Sequence, residues 1–223
     1  MSGNPISRRR AMVAGLAGLA TIPFAAGLAS ANPGSARQDI SPNAAKIYLD
    51  PGHGGSDSGA VGNGLQEKNL TLDIALRTRN LLTSAGHTVR MSRETDIFRE
   101  LAWRASDANS WGAALFISIH INAGGGTGFE SYRYTSVGQP TIDFHNRLHA
   151  GILAGMNSHT PVTNRGLKSA NFAVLRLTNM PAVLTENLFI DRASDAALLA
   201  NSGFIQATAQ GHANRVESML ASM

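Results

Sequence analysis

The chain has 223 residues, 43% of them apolar, which suits one domain of ordinary size and excludes wholesale disorder. Its formal charge of +4 does not mark a nucleic-acid binder: three of the 19 basic residues are Arg8, Arg9 and Arg10, and the remainder is 16 basic against 15 acidic residues with no basic stripe interleaved with aromatics. Cysteine is absent, which rules out disulfides, thiolate nucleophiles and Cys-held metals, so any metal must be bound by His, Asp or Glu.

The first 31 residues carry no acid and read as an address. Ser7-Arg8-Arg9-Arg10 precedes a modestly apolar Ala/Gly-rich stretch that ends at Ala29-Ser30-Ala31, the order of a secretory signal peptide with an A-x-A cleavage site. The paired arginines before weak hydrophobicity make it a twin-arginine type, and no stable membrane insertion is expected after cleavage. Residues 32–44, with Pro33, Gly34, Ser41 and Pro42, read as a linker, and the folded domain is expected over 45–223.

Within that domain, Lys46 to Asp50 is a short strand stopped by Pro51-Gly52. Leu70, Ile74, Leu81 and Leu82 recur at helical spacing from Asn69 to Ala85, with Gly86 as the stop. Thr88 to Met91 is a second strand, and Arg99 to Trp111 a helix closed by Gly112. Ala114 to Ile119 is a nearly continuous apolar run, which fits a strand buried on both faces. A glycine-rich loop (124–128), a strand from Phe129 to Tyr134 and a helix from Pro140 to Met156 follow. Phe172 to Leu177 and Pro181 to Leu184 read as strands, and helices over 193–200 and 203–220 close the chain. Strands alternating with helices predict an α/β fold with a largely parallel sheet.

Ligand sites in open α/β sheets lie beyond the carboxyl ends of the strands. His53 follows the first strand, His120 follows the buried strand, and Glu186 ends the last one. Glu67 stands just before the first long helix, from which it can pack back toward His53. Two imidazoles and a carboxylate make the His₂Glu set of a catalytic zinc site, and a second carboxylate outside that set is what a water needs as proton acceptor. Position alone leaves open which carboxylate does which. His145 and His149 are a competing pair, four apart on a predicted helix, but the Glu of an H-E-x-x-H site is missing and Arg147 lies between them. They are read as a polar helix face. His87, His159 and His212 show no partner in the sequence.

Four ordered segments resemble the third family of N-acetylmuramoyl-L-alanine amidases. They are Asp50-Pro51-Gly52-His53-Gly54-Gly55 with Asp57 and Gly59-Ala60; Leu65-Gln66-Glu67-Lys68-Asn69-Leu70; Leu115 through Ala123; and Pro181 through Ile190. Ser92-Arg93, Arg165-Gly166 and Asn171 through Arg176 also fit, so the likeness spans roughly residues 46–220. It implies a twisted six-stranded sheet flanked by helices. It implies one Zn²⁺ per chain on His53, Glu67 and His120, with Glu186 as general base and then acid, and peptidoglycan as substrate. The expected enzyme is an exported monomer of the cell wall, extracellular space or periplasm, cutting the bond between muramic acid and L-alanine. The rival within the same chemistry is a zinc peptidase acting on the stem peptide.

Overall fold

A computed structural model describes residues 44–220. The signal-peptide reading of 1–31, and all of the linker but Ala44, fall outside these residues. The domain is α/β, as expected. Strands β1 (Lys46–Pro51), β4 (Thr88–Met91), β5 (Leu115–Asn122), β6 (Phe129–Arg133), β7 (Asn164–Ser169) and β8 (Ala182–Phe189) form one sheet in the order β4-β1-β5-β8-β6-β7. A small hairpin, β2 (Val61–Gly62) with β3 (Leu65–Gln66), stands apart from it. All pairs in the main sheet are parallel except β6 with β8.

The helices are α1 (Glu67–Ser84), α2 (Leu101–Trp111), α3 (Gln139–His159), α4 (Ala173–Arg176), α5 (Ala193–Leu199) and α6 (Ser202–Leu220). Among the described residues none is long and apolar enough to cross a membrane. Successive strand side chains point to opposite faces of the sheet. Ile47, Leu49, Ile117, Ile119, Ile121 and Val183 enter the larger core, shared with residues of α1, α3 and α6. Tyr48, Phe116, Ala182 and Leu184 enter a smaller cluster with residues of α2 and α4. Both faces of the inner strands are therefore covered, which is why Ala114 to Ile119 reads as a nearly continuous apolar run, interrupted only by Ser118.

Two expectations fail here. Phe172 to Leu177 is not a strand: Ala173–Arg176 is one helical turn, and the buried Val174 and Leu175 pack against the smaller cluster. A short apolar run satisfies either period, and length alone does not arbitrate at six residues. The missing strand is β7, whose Asn-Arg-Gly-Leu-Lys-Ser carries no apolar alternation because it is a solvated sheet edge. His145 and His149 do not form a solvated polar face either. Both are buried, next to Phe144, Leu148 and Ile152 on the core side of α3.

Candidate active site

The carboxyl ends of β1, β5 and β8 bring the four predicted residues together. His53 sits two residues past β1, His120 near the end of β5, and Glu186 opposite His120 in the parallel register of β5 and β8. Glu67 is the first residue of α1, two positions ahead of the predicted start. An acid there suits the positive end of the helix, and the first N–H groups are satisfied by the loop: Glu67 donates to Ala60 O at 2.9 Å and Lys68 to Ser58 O at 3.1 Å.

Glu67 Oε1 lies 3.1 Å from His53 Nε2 and 3.0 Å from His120 Nδ1. One ligand atom from each of the three residues falls within 4.8 Å of the others. Ligands on a tetrahedral ion with arms of about 2.0–2.1 Å stand roughly 3.3 Å apart, so this donor set fits a small divalent cation with little movement. Gly52 makes the approach possible, since a Cβ there would lie 2.3 Å from the His120 ring. His53 Nδ1 donates to Asp57 Oδ2 at 2.8 Å, which turns Nε2 inward, the carboxylate–histidine support typical of metal ligands. Glu67 is oriented in turn by backbone N–H groups, Ile121 to Oε1 at 3.0 Å and Ala60 to Oε2 at 2.8 Å.

The electrostatics agree with cation binding. Burial lowers the His53 pKa, but hydrogen bonds and charge from Glu67 and then Asp57 outweigh it and raise it. Burial of Glu67 is likewise outweighed by His120 and His53, which hold its carboxyl far below the usual range. The triad is thus a preformed anionic cup for positive charge.

Glu186 differs. Its Oε2 is buried and has no hydrogen-bond partner among the described residues. Burial pushes its pKa up to about 7, against the pull of His120 and with help from Glu67 and Glu130. An apolar run holding a carboxylate therefore marks a group kept poised rather than paired. It faces a cleft of about 520 Å³ lined also by His53, His120, Phe98, Leu101 and Phe172.

A network of hydrogen bonds holds the His53 loop from behind, and its centre, Arg104, carries no signal in the sequence. His53 adopts φ +62°, a left-handed conformation that costs a non-glycine residue energy. The buried Arg104 fixes it, donating to His53 O through Nη2 and to Pro51 O and Asp50 Oδ1 through Nη1, each at 2.8 Å. Asp50 is also buried and takes Ser92 and Ser118 hydroxyls at 2.7 and 2.8 Å. Arg93 holds Pro51 O and Gly52 O at 3.1 and 2.9 Å. The i,i+4 spacing of His53 and Asp57 was a visible signal; the Arg104 contact, 51 residues away, was not.

The competing histidines are occupied elsewhere. Ser131 Oγ lies 2.8 Å from both His145 Nε2 and His149 Nδ1, and His149 Nε2 lies 2.9 Å from Asn164 Oδ1. Because Asn164 Oδ1 can only accept, His149 carries its proton on Nε2 and accepts from Ser131, which accepts from His145. His212 bridges Thr208 O and Thr185 Oγ1 in the core, His159 meets Thr160 Oγ1, and His87 Nδ1 accepts from Ala45 N.

A family model described as N-acetylmuramoyl-L-alanine amidase matches residues 47–218, nearly the whole described domain. The chain belongs to this family. It is 53% identical over 174 residues to the sporulation-specific N-acetylmuramoyl-L-alanine amidase of Bacillus subtilis, covering 77% of this chain and 67% of that protein. It is 53% identical over 171 residues to the N-acetylmuramoyl-L-alanine amidase CwlM of Bacillus licheniformis, covering 76% and 66%. The chain thus spans about two thirds of the length of these curated relatives. The crystal structure of an N-acetylmuramoyl-L-alanine amidase from Clostridium difficile 630 superposes with a TM-score of 0.76 at 32% identity, covering 81% of this chain and 98% of that one. The catalytic domain of CwlV from Paenibacillus polymyxa gives 0.74 at 32%, covering 80% and 99%. The amidase fold in this chain is therefore the one that the sheet and its flanking helices already described.

Proposed function

We propose that the domain hydrolyses the amide between N-acetylmuramic acid and L-alanine in peptidoglycan, with one Zn²⁺ per chain held by His53, Glu67 and His120. One observation carries this reading: Glu186, a buried carboxyl whose Oε2 has no hydrogen-bond partner among the described residues, lines the same cleft as His53 and His120 of the converged His₂Glu set, in a chain of the amidase family. Zinc bound there would supply Lewis acidity for the carbonyl and a lowered pKa for a water.

The rest is done by the chain. Glu186 accepts a proton from the water as its oxygen adds to the lactyl carbonyl carbon. When the C–N bond breaks, Glu186 returns that proton to the departing amine of L-alanine, leaving a free carboxylate on the muramic acid. A pKa near 7 suits both transfers near neutral pH. Asp57 holds the His53 tautomer, and Arg104 with Arg93 holds the loop that carries it.

The deciding experiment is digestion of isolated wall by the purified protein with mass analysis of the products. New L-alanine amino termini and intact stem peptides are expected; new termini within the stem would establish the peptidase instead. We further read residues 1–31 as an export signal. Changing Arg8 and Arg9 to Lys is expected to retain the protein inside the cell, and export of this variant at the normal level would refute it.

A further inference from the structure

Beyond the catalytic residues, one lateral row of the sheet continues past Glu186. His120 on β5 pairs with Glu186 on β8, which pairs with Glu130 on β6, which pairs with Gly166 on β7. Paired residues project from the same face, so Glu130 stands beside Glu186. Glu130 is buried and saturated with donors. Its Oε1 accepts Tyr132 OH at 2.7 Å and Asn122 Nδ2 at 2.9 Å, and its Oε2 accepts Arg165 Nε and Lys168 Nζ, each at 2.5 Å.

Gly166 explains how Arg165 arrives there. At φ +88°, beside a register shift in the pairing of β6 with β7, it breaks the alternation of the edge strand, so that Arg165 and Lys168 reach one carboxylate. Two cations share one anion, which leaves a net positive charge. Arg165 is anchored only through Nε, and its guanidinium carbon rests 4.8 Å from the centre of the Phe189 ring. Nη1 and Nη2 have no partner among the described residues, and the side chain is 33% exposed, that of Lys168 35%. A guanidinium held flat on a ring, tied at one edge and open at its fork, is preorganised for a carboxylate.

The direction of the substrate follows from the chemistry. Glu186 must protonate the departing nitrogen, so the nitrogen lies on the Glu186 side of the metal ligands, and the chain continuing from it runs over β6 toward β7. Two strand spacings separate β8 from β7, about 10 Å. An extended peptide advances about 3.3–3.6 Å per residue, so this span reaches the second or third residue of the stem. Those residues carry carboxylates: the glutamate that follows L-alanine, and the diamino acid after it.

We propose that Arg165, assisted by Lys168, is a specificity subsite for a stem-peptide carboxylate on the amine side of the scissile bond; this rests on the amidase reading above. The test uses three soluble muramyl tripeptides: the free acid, one amidated at the glutamate carboxyl, and one amidated at the diamino acid carboxyl. A charge-assisted hydrogen bond is worth about 10- to 100-fold. Wild-type kcat/KM is expected to fall by that factor, mostly through KM, when one of the two carboxylates is amidated, and which one identifies the bound group. In Arg165→Gln the acid-to-amide ratio should collapse toward one. Should that variant not fold, Lys168→Met is expected to lower the same ratio. Equal rates of the wild type on all three peptides would overturn the subsite, as would a ratio kept at its wild-type value in variants whose rates fall. If the wild type releases no L-alanine amine from any of them, the amidase reading falls and the subsite with it.

Discussion

Replacing Glu186 by Gln should stabilise the metal-stripped protein while destroying its activity. Burial lifts this carboxyl from 4.5 to about 7 and leaves Oε2 unpartnered. A carboxylic acid whose folded pKa is raised contributes stability that is fully present below its unfolded pKa and is lost as pH rises through the folded value. The penalty on the ion-free protein therefore starts near pH 4.5 and is complete above about 7. At about 1.4 kcal/mol per pH unit of displacement it amounts to roughly 3 kcal/mol at pH 8. The amide has no charge to desolvate and avoids this term. Urea unfolding of both proteins in chelator should show E186Q indistinguishable at pH 4.5 and about 2–3 kcal/mol more stable at pH 8. The metal-loaded variant should retain its zinc and lose about 10²–10⁴ in turnover on wall. A stability difference that does not change with pH would refute the burial argument. Turnover within tenfold of wild type would refute the assignment of Glu186 as base, and loss of zinc from the variant would make it a ligand.

Metal analysis should give one zinc per chain, and His145→Ala with His149→Ala should leave that stoichiometry unchanged; loss of metal in the double variant would make that pair the site. Arg104→Lys keeps the charge next to Asp50 but cannot reach His53 O, Pro51 O and Asp50 together, so zinc affinity should fall at least tenfold at fixed pH, by competition with a chelator dye. Burial depresses His212 and His145 to about 4, so each contributes stability present above 6.5 and lost as pH falls toward 4. In His212→Asn the slope of unfolding free energy against pH between 6.5 and 5 should become shallower by about one proton, and an unchanged slope would mean that His212 is not neutral in the fold.

The parts of the fold that the sequence made legible are those where period and burial coincide. The inner strands and long helices announce themselves because apolar spacing is what places them, and Gly86 and Gly112 end α1 and α2 as read. The edge strand β7 has no such spacing, since its pairing is backbone to backbone and its polar side chains meet water, His149 or Glu130. His53, His120 and Glu186 were legible because strand ends in a parallel sheet share one edge; Glu67 came from its place at a helix start. Arg104 and Glu130 were hidden because their charged partners are distant in sequence, Asp50 by 54 residues and Arg165 by 35. The burial of His145 and His149 was visible in principle. They directly follow Phe144 and Leu148 in an apolar stripe repeating every four residues, and a stripe that wide takes its polar members inside with it.

The pleat explains why, of seven histidines, His53 and His120 line the cleft while His145, His149 and His212 do not. On β8, Thr185 faces α6 and meets His212, while its neighbour Glu186 faces the cleft. On β6, Ser131 faces α3 and meets His145 and His149, while its neighbour Glu130 stands in the row with Glu186. One face is closed by long helices, so histidines that fall there are buried, neutral and committed to hydroxyls. Among the described residues the other face carries the helices α2 and the single turn of α4, and a cleft opens at the carboxyl ends of the strands. A slip of one residue in β8 would send Glu186 into the core against His212 and bring Thr185 to the cleft. The apolar alternation that fixes the register of β8, Val183 inward to the larger core and Leu184 to the smaller one, is thus also what delivers Glu186 to the cluster of His53, Glu67 and His120.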